Sequence, residues 1–99
     1  MESTKPAVTY VGLDVSKDRL DYTLDGVTAA SVPNTVAGHR RFEKHLRRVP
    51  AARVVCEASG GYEREVVAHL LTAEIEVCVV QPGRVRAFAH AEEIGRAHV

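Results

Sequence analysis

An excess of either charge is missing from this 99-residue chain, in which 13 Lys and Arg stand against 13 Asp and Glu. Net charge therefore gives no nucleic-acid signal, and only local clustering of cations could. Long apolar runs are missing too. None approaches the ~20 residues of a membrane span, and Met1-Glu2-Ser3-Thr4-Lys5-Pro6 has no secretory-type apolar stretch. The chain reads as cytoplasmic, without a membrane partner. Cysteine is scarce: Cys56 and Cys78 lack CxxC spacing and fall inside apolar runs, so both are expected to be buried hydrophobes rather than disulfide or zinc partners. His39, His45, His69, His90 and His98 form no HExxH or other metal spacing. There is no internal repeat and no low-complexity linker. What remains, 45% hydrophobic and 26% charged residues, is the composition of one small globular domain.

The elements alternate. Val8 to Val15 is apolar enough for a strand buried on both faces. After a Ser16-Lys17-Asp18 turn, Leu20 to Leu24 alternates as a half-exposed strand, Asp25-Gly26 signals a hairpin, and Val27 to Val32 returns as a third strand. Pro33-Asn34-Thr35 opens a helix, capped by Asn34 or Thr35, whose inner face is expected to carry Val36, Phe42, Leu46 and Val49 before Pro50 ends it. Arg53 to Glu57 is the fourth strand. Ser59-Gly60-Gly61 leads to a helix with a Val66, Val67, Leu70, Leu71 stripe, Glu76 to Val80 is the fifth strand, and Pro82 starts a last helix with Val85 and Phe88. The order β-β-β-α-β-α-β-α predicts an α/β fold, with a mixed sheet and helices on both faces.

Two acids stand at the carboxyl ends of strands: Asp14 in Gly12-Leu13-Asp14-Val15-Ser16-Lys17, and Glu57 in Val54-Val55-Cys56-Glu57-Ala58-Ser59-Gly60-Gly61. Each taken alone has a local reading, since Asp caps helices and closes Asx-turns. Together they read differently. The topology makes the first and fourth strands parallel neighbours, ligands in open α/β sheets bind beyond such strand ends, and paired hard oxygens can share a dication.

The chain resembles a known family at this point. Gly12-Leu13-Asp14-Val15-Ser16-Lys17, Glu57-Ala58-Ser59-Gly60-Gly61-Tyr62-Glu63 and Gln81-Pro82-Gly83-Arg84-Val85-Arg86-Ala87-Phe88-Ala89 are similar to three successive blocks of the DEDD transposases of the insertion-sequence 110 group. The resemblance spans Tyr10 to about Ala89. It implies a ribonuclease H-like, RuvC-like N-terminal domain that cleaves and joins DNA strands with Mg²⁺ or Mn²⁺. It also implies a guide RNA and a homo-oligomeric full-length protein. Asp14 matches the first and Glu57 the second of four metal-binding acids. The family's remaining two aspartates follow in a Lys-Thr-Asp-x-x-Asp stretch, which neither Glu92 nor Glu93 matches.

The chemistry explains why acids are needed in number. Phosphodiester cleavage uses two metals about 3.5–4 Å apart, one at the attacking and one at the leaving oxygen, and several carboxylates must offset their mutual repulsion. Two acids hold one metal weakly, so this segment alone is expected to be inactive. For nucleic acid, the candidate contacts are Lys17, then Arg40, Lys44 and Arg47 on a shared helix face, then Arg84 and Arg86 near the metal edge; a solvated helix face is the alternative for the middle group.

Rival classes remain. An actin-like or sugar-kinase-like ATPase also begins with a strand ending in Asp, but it needs a glycine- or hydroxyl-rich hairpin where Val15 and Lys17 stand. A RuvC-like junction resolvase and a non-catalytic interaction module are the others. Glu93-Ile94-Gly95-Arg96-Ala97-His98-Val99 back-translates into a common sequencing-adapter stretch. The domain is accordingly expected to fill residues 1–91, C-terminally incomplete, with 92–99 a non-native tail.

Overall fold

The computed structural model describes residues 8–82. Five strands, β1 (Thr9–Val15), β2 (Arg19–Thr23), β3 (Ala29–Pro33), β4 (Ala52–Glu57) and β5 (Glu76–Val80), alternate with two helices, α1 (Val36–Leu46) and α2 (Arg64–Thr72), in the order β-β-β-α-β-α-β. The last helix expected from Pro82, with Val85, Phe88, Arg84 and Arg86, and the 92–99 tail lie outside the described residues. No described helix is long and apolar enough to cross a membrane.

The strands form one mixed sheet in the order β3-β2-β1-β4-β5. The first three are an antiparallel meander, while β4 joins β1, and β5 joins β4, in parallel. Both described helices lie on one face, where helices on both were expected; the third expected helix lies outside the described residues. The cause is topological: α1 and α2 are crossovers that step across the sheet in the same direction, and two right-handed crossovers of that kind land on the same side. Alternation then splits each strand. Val11, Leu13, Val15, Leu20, Tyr22, Val32, Val54 and Cys56 turn inward to meet Phe42, Leu46, Val66 and Leu70, and the Tyr22 and Phe42 rings stack with centroids 4.2 Å apart.

Local chemistry sets the element ends. The Asp25 carboxylate accepts from the Val27 and Thr28 amides, so the loop takes Leu24 to Thr28 and β3 begins at Ala29 instead of Val27. Thr35 is the α1 cap, its hydroxyl accepting from the Gly38 amide at 3.1 Å. The buried stripe of α1 is Gly38, His39, Phe42 and Leu46. Val36, expected on that stripe, is 62% exposed, and Leu71 of α2 is 58% exposed. Cys56 is buried as expected. Cys78 is exposed, because β5 is the edge strand of the described sheet and Cys78 sits beside Val55 on the face that no described helix covers.

Candidate functional site

The face of the sheet away from the helices carries Tyr10, Gly12 and Asp14 of β1 and Arg53, Val55 and Glu57 of β4, since their neighbours Val11, Leu13, Val15, Val54 and Cys56 are all buried on the other side. The parallel register runs from Thr9↔Ala52 to Leu13↔Cys56. Asp14 and Glu57 are the next residue on each strand, just beyond the last registered pair. Both line the same open cavity, of about 630 Å³, with Tyr10, Thr23 and Ser31 among its walls. Gly12 keeps its floor low: nothing lies within 4 Å of where a Cβ would stand.

Among the described residues, neither carboxylate has a hydrogen-bond or ion-pair partner. A third acid, Asp21, faces Asp14 across the antiparallel β1–β2 ladder, but its carboxylate is paired with Arg19 at 3.1 Å. No group of three or more His, Cys, Asp or Glu is placed to hold a metal among the described residues. Among the described residues this leaves the cavity two unpaired hard oxygen donors, Asp14 and Glu57. That fits one weakly held Mg²⁺ or Mn²⁺ completing its shell with water. Beneath the cavity floor, burial and the negative charges of Glu63, Asp14 and Glu57 push the Cys56 thiol up to about 11, so it stays protonated and unreactive.

The loop after β4 is organised by a residue to which the sequence pattern alone assigns no role. Glu63 Oε1 accepts from the Ser59 amide at 2.8 Å, the Ser59 hydroxyl at 2.9 Å and the Gly61 amide at 3.2 Å. These bonds, the Ser59 amide foremost, hold its pKa at about 2. Glu63 is therefore engaged with its own loop. The only available signal was a glutamate four residues after a serine in a glycine-rich turn.

Asn34 and His39 form a pair that the sequence does not announce. Asn34 Nδ2 donates to the carbonyls of Ser16 at 3.0 Å and Tyr62 at 3.1 Å, and its Oδ1 meets His39 Nε2 at 2.7 Å. His39 is 2% exposed. Burial, followed by the neighbouring His69, lowers its pKa, so the ring is neutral and must donate from Nε2 to Asn34.

The cations divide. Lys17 lies exposed in the β1–β2 turn, at the same sheet end as Asp14. Arg40 and Lys44 lie exposed on α1, lining a shallow groove with Arg41, on the opposite side of the sheet from the carboxylates. Arg47 belongs to the fold: it bonds Glu43 Oε2 at 2.8 Å and the Ala73 carbonyl at 3.3 Å, tying α1 to the end of α2. Glu43 also meets His69 Nε2 at 2.8 Å.

Set against known families, a model described as a transposase, of the DEDD insertion-sequence 110 type, matches residues 11–97. The chain belongs to this transposase family. No curated protein matches it. Membership makes DNA the expected partner, and the transposase match includes β1 from its third residue, all of β2 to β5 and both helices.

Proposed function

We propose that the chain is the ribonuclease H-like, RuvC-like N-terminal domain of a DNA transposase, in which Asp14 and Glu57 hold Mg²⁺ or Mn²⁺ for cleaving and joining DNA strands. The observation that carries this reading is the pair of unpartnered carboxylates at the ends of parallel β1 and β4, on the one sheet face that no described helix covers. The strand order β3-β2-β1-β4-β5 supports it by placing the two strands at the centre of the sheet, where their carboxyl ends form a ligand edge. Transposase family membership favours it over an ATPase or a junction resolvase.

A bound dication would supply Lewis-acid polarisation of a phosphodiester and a lower pKa at the attacking oxygen. The chain's own residues supply the setting. Asp14 and Glu57 gather positive charge at the sheet edge, and Lys17 places a further cation where a DNA phosphate would approach. Arg40 and Lys44 contact nucleic acid on a second surface, behind the sheet, where a guide RNA or the far arm of a DNA would run. With two acids among the described residues, the site holds its metal weakly. The active protein is a homo-oligomer working in the cytoplasm.

Mn²⁺ titration followed by electron paramagnetic resonance tests the site. Asp14→Asn and Glu57→Gln should each remove most of the binding of the wild-type chain; binding that survives both substitutions would overturn the assignment.

A further inference from the structure

The β1–β4 ladder does not itself fix the candidate site. Its registered pairs end at Leu13↔Cys56, one residue short of Asp14 and Glu57. Beyond that pair each strand is bonded to its other neighbour. β1 turns into its hairpin with β2, the Ser16 amide donating to the Arg19 carbonyl at 2.9 Å, while β4 keeps its bonds to β5, the Ala58 amide donating to the Val80 carbonyl at 2.8 Å. Among the described residues, one side chain bridges the segments beyond the two acids. Asn34 donates one amide hydrogen to the Ser16 carbonyl, two residues past Asp14, and the other to the Tyr62 carbonyl, five past Glu57. Its own backbone amide donates to the Asp18 carbonyl at 2.9 Å.

We propose that Asn34, oriented by the buried His39, is a positioning residue that clamps the segments following β1 and β4 and so sets the separation of Asp14 and Glu57. The chemistry leaves the amide one orientation. Both backbone partners are carbonyls and can only accept, so the nitrogen faces them and the oxygen faces His39. Neutral His39 donates to that oxygen from Nε2, and its burial in the helix–sheet core fixes the ring. Each of the amide's two hydrogens is used, and the rigid core is thereby coupled to two exposed loops. Groups hydrogen-bonded to metal ligands typically change metal affinity by about 10–100-fold when removed, and Asn34, which acts through the backbone, is expected at the low end of that range. The role rests on reading Asp14 and Glu57 as metal ligands; the clamping of the two segments does not.

The test uses the 99-residue chain, Mn²⁺ alone as probe, and three variants. Asn34→Ala and His39→Leu should each weaken Mn²⁺ binding about tenfold. His39→Gln, which keeps a side-chain N–H directed at Asn34, should restore affinity to within about threefold of wild type, a rescue that a packing role for His39 would not produce. In Asn34→Ala the carbonyl-carbon resonances of Ser16 and Tyr62 should shift in the metal-free protein, with those of the β2–β3 hairpin unmoved. Shifted resonances with unchanged Mn²⁺ affinity would make Asn34 a purely structural tie and overturn the positioning role. If the wild-type chain takes up no Mn²⁺, the ligand assignment fails instead, and the clamp is judged by the carbonyl resonances: shifts uphold it and their absence overturns it.

Discussion

Asp14 and Asp21 face each other across the β1–β2 ladder, and among the described residues only Asp21 has an ion-pair partner, Arg19 at 3.1 Å. Like charges directly opposite on neighbouring strands destabilise a sheet, by roughly a few tenths of a kcal/mol when solvent reaches them. The arrangement costs the fold stability, and the proposed metal site gives it a use. Asp14→Asn should therefore raise the melting temperature slightly in metal-free buffer. Added Mn²⁺ should then stabilise the wild type and leave the variant unmoved, because only the form that binds ligand gains stability from it. A variant less stable than wild type without metal would show that Asp14 serves the fold.

Glu63 gives the chain an acid-sensitive joint. Its carboxyl is held at about 2, against 4.5 for an ordinary glutamate, so the folded state favours the ionised form. The stabilisation is fully present above pH 4.5 and is lost as pH falls towards 2. Glu63→Gln should lower the melting temperature at pH 7, and the gap to wild type should close between about pH 4.5 and 2. A gap of constant size over that window would mean that the charge of Glu63 contributes nothing.

Gly38 is fixed by proximity. A Cβ there would stand 1.7 Å from the Pro33 carbonyl oxygen, a backbone atom that cannot swing aside as a flexible side chain would. Gly38→Ala should cost about 1–3 kcal/mol or more by forcing α1 away from the end of β3, outweighing alanine's better helix propensity of about 1 kcal/mol. Chemical denaturation would read the loss as a lower midpoint.

Where local pattern and tertiary environment agreed, the fold could be read directly. β5 occupies Glu76–Val80 as expected, because its apolar run is bounded by turn residues and nothing long-range competes. The placement of Asp14 and Glu57 on one sheet edge was legible for a related reason: strand order follows from the sequence of elements, and two strand-end acids then fall together. Cys78 was misplaced because a continuous apolar run reads as buried on both faces, while the described helices cover only one. Val36 was misplaced because apolarity alone was counted; the buried first turn of α1 instead holds Gly38 and His39, chosen for close approach and for a hydrogen bond. The Asn34 bridges join residues 18 and 28 positions apart. No periodicity encodes such contacts.

The basic face of α1 divides by pairing in a way that a shared helical spacing does not reveal. Arg40 and Lys44 are exposed and have no ion-pair partner among the described residues, whereas Arg47 is committed to Glu43 and the Ala73 carbonyl. Replacing Arg40 and Lys44 together by alanine should leave the melting temperature nearly unchanged. It should weaken binding to double-stranded DNA and reduce the slope of log affinity against log salt by about 2, roughly one for each phosphate no longer neutralised. Arg47→Ala should do the reverse. It removes a half-exposed bridge between α1 and α2, destabilising the fold by roughly 0.5–1 kcal/mol after solvent screening, with the salt slope unchanged. Fluorescence anisotropy over a salt series, paired with thermal melts, distinguishes the two. If Arg47→Ala lowers the slope as much as the other cations do, all three belong to one DNA-binding stripe, and the division of roles along α1 is wrong.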